Sequence, residues 1–250
     1  MIRIRISCLS ECLSECADSD IPRSQYLDCL IKALPKGFAD YVKTKITFKN
    51  RLETYGGISA LASLLTELSI PADNLSIGID TEGRPMIKGY TERPLDFNIS
   101  HSGDYAVCAV ATGENARVGI DIEYQSYEKE HRGKLVKRFF FPKEIKNYFD
   151  NGESTETFLR IWTQKEAVMK YKGSDIHNQT LCVNTALLGE TDFEMDEFSI
   201  FEDLRDYSKL PVNATDEQIA QFKKSFPEDR QYVITVCYPK GSQPDFTQIY

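Results

Sequence analysis

Residues Arg117–Tyr124 read RVGIDIEY. Apolar side chains at positions 118, 120 and 122 alternate with a glycine and two acids. This period of two predicts a β-strand with one apolar face and one face that carries Asp121 and Glu123 side by side. Like charges this close raise the free energy of ionising each other. The strand therefore needs a positive partner for its two carboxylates.

The overall composition indicates a globular protein with an acidic surface. The chain has 250 residues, which is enough for one large domain or two small ones, and its net charge is -8. A general nucleic-acid-binding protein is normally basic, so this charge disfavours that class. We expect no nucleic-acid partner.

The N-terminal segment and the cysteines indicate where the protein works. Isoleucines at 2, 4 and 6 alternate with Arg3 and Arg5, which predicts a first strand and disfavours a signal peptide. No apolar run is long enough to span a bilayer. The 7 cysteines are odd in number and show no disulfide spacing, which favours reduced thiols. We expect a cytoplasmic monomer with no membrane association.

Strand and helix patterns occur twice along the chain in similar proportion. The first set ends in a short turn-rich segment, Gly113–Ala116, and RVGIDIEY opens the second set. We therefore predict an α+β protein with an N-terminal half, 1–115, and a C-terminal half, 116–250.

The helix predicted over TFLRIWTQKEAVMKYKG, Thr157–Gly173, supplies a third acid. Its apolar stripe includes Trp162 and Met169, and Glu166 lies on that stripe with Lys170 one turn later. On the helix alone, a salt bridge between Glu166 and Lys170 explains the pair best. With Asp121 and Glu123 there are three carboxylates, and oxygen ligands of this kind suit Mg²⁺, which also takes substrate phosphates.

Groups that can bind phosphate occur earlier in the chain, before the acidic strand at 117–124. Ser100, His101 and Ser102 stand between two predicted strands in FNISHSGDYAVCAV. Arg84 lies in a turn, and the basic segment Lys43–Arg51 lies further upstream, so several cations are available for a substrate with several phosphates. An ordinary structural hydrogen bond is the alternative for His101.

Five motifs together resemble a known family. GRP, FNISHSGDYAV, VGIDIE, KRFFFPKE and WTQKEAVMKYKG occur in this order between Gly83 and Gly173. The set is similar to the 4′-phosphopantetheinyl transferases of the larger, surfactin-synthetase type. The resemblance implies two similar α+β subdomains related by a pseudo-two-fold axis, with the active site at their interface. It also implies coenzyme A as donor, Mg²⁺ as cofactor and a serine of an apo acyl or peptidyl carrier protein as acceptor, with adenosine 3′,5′-bisphosphate released.

The resemblance assigns roles to residues of this chain. Metal ligands fall on Asp121, Glu123 and Glu166, and the lysine near the transferred phosphate falls on Lys170. The coenzyme A contacts fall on Arg84, Ser100 and His101, with Lys43, Lys45 and Arg51 as upstream candidates. Glu144 and Glu166 are both candidate bases for the serine proton. Glu144 also follows Pro142 at the start of a predicted helix, where a carboxylate favours the helix dipole.

Two other functions and one docking surface stay open at this point. A magnesium-dependent nucleotide pyrophosphohydrolase also needs acids and phosphate-binding cations, although it usually clusters its acids on one helix. A degenerate relative that only binds carrier protein or coenzyme A is the non-enzymatic alternative. The basic stretch KEHRGKLVKR, Lys129–Arg138, is a candidate docking surface for an acidic carrier protein, or else a solvated helix face. Ser174 and Asp175 replace a glycine pattern that is common in the family.

Overall fold

The computed structural model describes residues 1–14, 21–81, 83–124, 128–173, 183–186, 191–203, 215, 217–218 and 229–246. Within them the helices are α1 (Leu9–Cys12), α2 (Arg23–Ala33), α3 (Lys36–Lys43), α4 (Phe48–Glu67), α5 (Lys129–Phe139), α6 (Pro142–Asp150) and α7 (Thr155–Lys172). The strands are β1 (Ile2–Cys8), β2 (Ser76–Ile79), β3 (Pro85–Lys88), β4 (Leu95–Ser102), β5 (Tyr105–Thr112), β6 (Gly119–Tyr124), β7 (Phe193–Asp203), β8 (Asp229–Pro239) and β9 (Pro244–Asp245). The glycine pattern replaced at Ser174 and Asp175 lies outside the described residues.

The N-terminal half is built on a sheet with the strand order β4-β5-β1-β9. Strands β4 and β1 both pair antiparallel with β5, which lies between them. Helix α4 packs across one face of this sheet, and its buried leucines join Phe97, Cys108 and Val110 in one apolar core. Strands β2 and β3 form a separate antiparallel hairpin.

Two adjacent glycines explain how closely α4 approaches this sheet. A Cβ atom at Gly56 would lie 2.4 Å from Leu9 Cδ2, and one at Gly57 would lie 2.3 Å from Ile99 Cγ2. Contacts this short are sterically forbidden, so the helix reaches β4 and β5 only because both positions lack a side chain. Close packing therefore compensates for the unfavourable helix propensity of the two glycines.

The C-terminal half repeats this arrangement. Its sheet has the order β6-β8-β7, with β8 antiparallel to both neighbours, and α7 packs on β6 and β8. Apart from the β2–β3 hairpin and β9, each half has one strand, then a long helix, then two strands, and the second of these lies between the other two in the sheet. The predicted α+β class and the repeat of similar halves are confirmed. The division at residue 115 stays a prediction, and β9 of the C-terminal half returns to pair with β1.

The two sheets pack against each other through a shared apolar core. Alternate residues of β1, β5, β6 and β8 point into it, with Ile4, Ala109, Ile120 and Ile234 all at most 1% exposed. Burying an aliphatic side chain stabilises the fold by about 1.5–3 kcal/mol. Since α4 and α7 cover the outer faces, the halves meet sheet to sheet with the long helices outside.

Polar side chains of β4 fix the position of β6. The backbone N–H of Val118 donates to Asp96 Oδ2 at 2.8 Å, and the N–H of Ile120 donates to Asn98 Oδ1 at 2.9 Å. Strand β6 is an edge strand in its own sheet, and these contacts satisfy backbone donors that burial would otherwise leave unpaired. The polar face of β4 thereby lies along β6.

None of the described helices combines the length and the apolar composition needed to cross a bilayer.

Replacing Gly57 by alanine tests the close approach of α4. The new methyl group must displace Ile99, so we expect Gly57→Ala to lower the free energy of unfolding by about 1–3 kcal/mol. The matched control is Gly133→Ala in α5, where a Cβ meets nothing within 4 Å. There alanine should stabilise the protein by up to about 1 kcal/mol. Urea unfolding measures both, and equal effects would contradict the packing argument.

Candidate active site

A compact group of polar side chains lies where the two halves meet. Lys170 Nζ is 2.6 Å from Asp121 Oδ1 and 2.8 Å from Ser100 Oγ, and Ser100 Oγ donates to the same Asp121 oxygen at 2.8 Å. These residues come from β4, β6 and α7. The structure therefore joins three side chains that are 21 to 70 positions apart in sequence.

Local structure explains why these side chains converge. On β4, Phe97 and Ile99 pack toward α4, which leaves the alternate residue Ser100 on the face toward β6. Helix α7 ends at Gly173, whose φ of 77° is left-handed. Lys170 thus lies in the last turn, where the helix dipole favours a positive charge.

The other two acids of the group are also partly or fully buried. Ser102 Oγ donates to Glu123 Oε2 at 2.9 Å. Burial, and then the charge of Asp121, raises the pKa of Glu123 to about 7. The same two causes raise the pKa of Glu166 to about 7, although Lys170 opposes the shift. Three carboxylates thus share one lysine as their nearest cation, and the region has an excess of negative charge.

The donor set fits a hard divalent cation. Asp121 Oδ2 is buried and has no hydrogen-bond partner, so one oxygen is available as a ligand. All of the candidate ligands are carboxylate oxygens, and Mg²⁺ needs only one or two of them beside water and phosphate. Within the described ranges, however, no three His, Cys, Asp or Glu side chains are already placed to hold a metal ion. Lys170 lies against Asp121 in the arrangement described here.

His101 stands beside this group and has a partner that the sequence analysis missed. Its Nδ1 is 3.7 Å from Glu53 Oε1 on α4. Glu53 is 8% exposed, and its Oε1 is also 3.7 Å from Lys49 Nζ. Burial lowers the pKa of His101, and the charge of Glu53 opposes the shift. The available sequence signal was an acid on the same helical face as the closely packed glycine at position 57.

Arg84 was predicted to contact coenzyme A, but in the structure its guanidinium forms hydrogen bonds within the protein. It is 7% exposed, and its guanidinium donates to Asp96 and to the backbone oxygens of Phe97, Val118 and Lys170. The last contact satisfies a carbonyl at the C-terminus of α7. In this geometry Arg84 holds both halves together. Its Nε has no hydrogen-bond partner among the described residues but is buried, so a phosphate contact would require the surroundings of the guanidinium to open.

Glu144 was a candidate base, and the structure gives its carboxylate other partners. It is 2% exposed and lies in the first turn of α6, where one oxygen accepts from the N–H of Phe141 at 2.7 Å. The other oxygen accepts from the N–H and the hydroxyl of Thr185. Lys165, fully buried, completes the arrangement at 2.7 Å. Glu144 is therefore a helix cap and the partner of a buried ammonium, because its acceptors are already used.

The upstream cations are not brought into the group by any described contact. Lys43 lies 3.9 Å from Asp40, and Lys45 Nζ is 4.7 Å from the ring centroid of Tyr41. Arg51 pairs with Asp28. Their assignment to coenzyme A stays a prediction.

Two protein-family models match the chain. The model described as 4′-phosphopantetheinyl transferase superfamily matches residues 117–237. The model described as 4′-phosphopantetheinyl transferase, N-terminal, matches residues 45–113.

Curated relatives carry the same description. A 4′-phosphopantetheinyl transferase of Bacillus subtilis is 28% identical over 174 residues, which are 69% of this chain and 65% of that protein. The transferase Sfp of Bacillus subtilis (strain 168) is 24% identical over 195 residues, 77% of this chain and 75% of Sfp. The chain thus covers less than two thirds of the first relative. A solved holo-(acyl-carrier-protein) synthase of Bacillus anthracis in complex with CoA gives a TM-score of 0.33 at 19% identity, covering 44% of this chain and 93% of that one.

The raised pKa of Glu166 predicts how stability depends on pH in the absence of metal. The carboxyl group of Glu166 has a pKa of 4.5 in the unfolded chain and of about 7 in the folded protein. The folded protein therefore binds the proton of Glu166 more tightly. The contribution to stability is therefore complete below pH 4.5 and is lost as pH rises through about 7. Glu166→Gln has no such proton, so its stability relative to the parent should increase across this interval.

Urea unfolding in the presence of a chelator, at several pH values, measures this difference. Asp150→Asn is the control, because the Asp150 carboxylate is 58% exposed on α6. The difference in unfolding free energy between this variant and the parent should stay constant over the same pH interval. A constant difference for Glu166→Gln as well would contradict the buried, proton-binding state of Glu166.

Proposed function

The chain belongs to the 4′-phosphopantetheinyl transferase superfamily, and from this premise we propose that it transfers 4′-phosphopantetheine from coenzyme A to a carrier protein. The acceptor is a serine hydroxyl of an apo acyl or peptidyl carrier protein, and adenosine 3′,5′-bisphosphate is released. The observation that carries the proposal is the contact of Ser100, Asp121 and Lys170, beside Glu123 and Glu166, at the junction of the two halves.

The reaction is a phosphoryl transfer in which one bond forms and one breaks. The serine oxygen attacks the β-phosphorus of coenzyme A, and the bond from that phosphorus to the bridging oxygen breaks. The serine proton passes to a base, and the leaving bisphosphate takes the electron pair and the negative charge. Catalysis of this kind depends mostly on position and on charge stabilisation.

Asp121, Glu123 and Glu166 are proposed to hold Mg²⁺. The buried oxygen of Asp121 that has no hydrogen-bond partner supports this assignment, as do the raised pKa values of the two glutamates, about 7 in each case. When bound, the ion supplies positive charge that offsets the charge of the pyrophosphate.

Lys170 is proposed to contact the transferred phosphate. A lysine ammonium has three N–H donors, and the contacts with Ser100 and Asp121 use two of them. Its side chain is 26% exposed, so the ammonium lies at the rim of the group and not inside the core. A positive charge held in this position stabilises the charge that develops on the phosphate oxygens.

Glu166 is the stronger of the two candidate bases. Without metal, burial raises the pKa of Glu166 to about 7, and a bound cation would favour its ionised form, which can accept a proton. Glu144 is weakened as a candidate because its oxygens cap a helix and pair with Lys165. Glu166 can serve directly or through a water molecule.

The carrier protein is proposed to dock on α5. Lys134, Lys137 and Arg138 are exposed on this helix, which follows β6 in the chain. One part of the predicted basic surface is corrected, because Arg132 is buried. Lys134 also lies 2.8 Å from Glu130, so the field of the patch is partly offset by an acid on the same helix.

We propose a cytoplasmic location because the described cysteines form no disulfide bonds. Cys8, Cys12, Cys29, Cys108 and Cys237 are all free in the described residues. Reduced thiols are typical of that compartment.

Removal of the acidic side chains tests the proposed activity. Asp121→Ala and Glu166→Ala should each lower transfer by at least about a hundredfold, because each removes a proposed ligand of the cation that offsets the pyrophosphate charge. The measurement is mass spectrometry of an apo carrier protein incubated with coenzyme A and Mg²⁺. Asp150→Ala, at an exposed position on α6, is the control and should keep full activity. Near-normal turnover of both test variants, with intact folds by circular dichroism, would refute the metal assignment.

Charge reversal tests the docking surface separately. Lys134→Glu with Lys137→Glu should raise the KM for carrier protein by about tenfold at low salt, since a basic patch steers an acidic partner. The KM for coenzyme A should change little. Reversal of the exposed Lys36 and Lys88 gives the same net charge and is the control. Salt of roughly 0.5 M should reduce the effect, and an unchanged carrier KM at low salt would exclude α5 from the interface.

A further inference from the structure

A buried acid outside the carboxylate group faces His101. Glu53 lies on α4, is 8% exposed, and is surrounded along that helix by buried glycines and aliphatic residues. Its Oε1 is 3.7 Å from His101 Nδ1 and 3.7 Å from Lys49 Nζ. A buried carboxylate is costly unless a positive or hydrogen-bonding group compensates it, so these two partners need an explanation.

The packing of α4 places Glu53 where it is. Gly57, one turn after Glu53, allows the helix to contact Ile99 of β4 directly. Ile99 is two residues before His101 on the same strand, so the contact brings the preceding helical turn beside the imidazole. The same glycine that permits close packing therefore determines which side chain reaches His101.

The two partners of Glu53 are not equivalent. The Lys49 side chain is 81% exposed, so solvent screens its charge and its pairing with Glu53 contributes little to stability. His101 is 45% exposed and follows Ser100 on β4. Successive residues of a strand point to opposite faces, so the imidazole lies on the side of α4, and the charges of Lys170 and Asp121 still act on it. Of the two, only His101 connects Glu53 to the candidate active site.

We propose that Glu53 is a positioning residue for the donor site: it holds the imidazole of His101 with Nδ1 toward α4. The two nitrogens of an imidazole diverge, so Nε2 is then directed away from the helix and donates to a phosphate oxygen of coenzyme A. A carboxylate that orients a histidine through its second nitrogen is a common arrangement in functional sites. The inference rests on the proposed function, because it assumes coenzyme A as the ligand.

The surrounding charges explain why Glu53 is needed. Asp121 and Glu53 attract an imidazolium at this position, whereas Lys49 and Lys170 repel it. Without Glu53, the positive charges of Lys49 and Lys170 act on His101, and only the negative charge of Asp121 opposes them. An imidazolium that donates from Nε2 to phosphate is then disfavoured, and the ring is free to turn.

A double-mutant cycle on coenzyme A affinity tests this coupling without a carrier protein. Titration calorimetry compares the parent with Glu53→Gln, His101→Ala and the double variant. We expect Glu53→Gln to weaken binding by about fivefold in the parent and to have no effect when His101 is already alanine. Independent effects that multiply in the double variant would overturn the inference.

Further variants separate positioning from a structural role. Glu67→Gln lies on the same helix and contacts Arg3 and Arg5, so it is the control and should bind coenzyme A as the parent does. Glu53→Asp keeps the charge and should recover part of the affinity, and it replaces Glu53→Gln in the cycle if that variant fails to fold. In the complex with coenzyme A, side-chain ¹⁵N resonances of His101 should show both ring nitrogens protonated in the parent and a larger neutral fraction in Glu53→Gln at the same pH. An unchanged protonated fraction would contradict the proposal.

The outcome of this cycle is distinct from that of the transfer assay. If coupled loss of affinity is found but no carrier protein is modified, the role of Glu53 stands and the proposed reaction fails. If transfer occurs but His101→Ala binds coenzyme A normally, the reaction stands and this inference is wrong.

Discussion

The contact between the polar face of β4 and the edge of β6 is the constraint on which the rest of the structure depends. Asp96 and Asn98 accept hydrogen bonds from the backbone N–H groups of Val118, just before β6, and of Ile120 within it, so the two halves have one register and no freedom to slide. Further along the same strands, Ser100 meets Asp121 and Ser102 meets Glu123. A one-residue shift of β4 would turn apolar side chains toward β6 and would dismantle the acidic group.

The acidic group is arranged at a cost to stability that suits a binding site. Three acids share the neighbourhood of one lysine, and burial raises the pKa of Glu123 and of Glu166 to about 7. A fold that needed only stability would replace these acids with apolar side chains. Clusters of perturbed acids of this kind are typical of functional sites, and a bound cation would relieve the repulsion. The same argument applies to Glu53, where the nearby imidazole of His101 offsets part of the free-energy cost of burying the carboxylate.

Much of the fold and the centre of the candidate site could be predicted from local patterns. The strand at 119–124 and the long helices follow from periodicity. The family resemblance pointed to Ser100, Asp121 and Lys170, and the structure brings the three side chains into contact. Arg84 and Glu144 show the limit of this reasoning. Both are charged residues in motifs, yet the structure uses one to tie backbone carbonyls of both halves and the other to cap a helix. A motif specifies a residue type, but not which acceptors its side chain meets after folding.

By itself, the sequence determined the elements, their order and the chemical type of the site, because backbone periodicity and side-chain chemistry are local properties. Only the tertiary structure decided which charges are neutralised within the protein. The pairing of Lys165 with Glu144, and that of His101 with Glu53, each join residues more than twenty positions apart. Those distances depend on how closely helices and sheets pack, and in the case of α4 on the absence of a Cβ atom at Gly57. Packing of this kind is a property of the whole chain, and no window of sequence contains it.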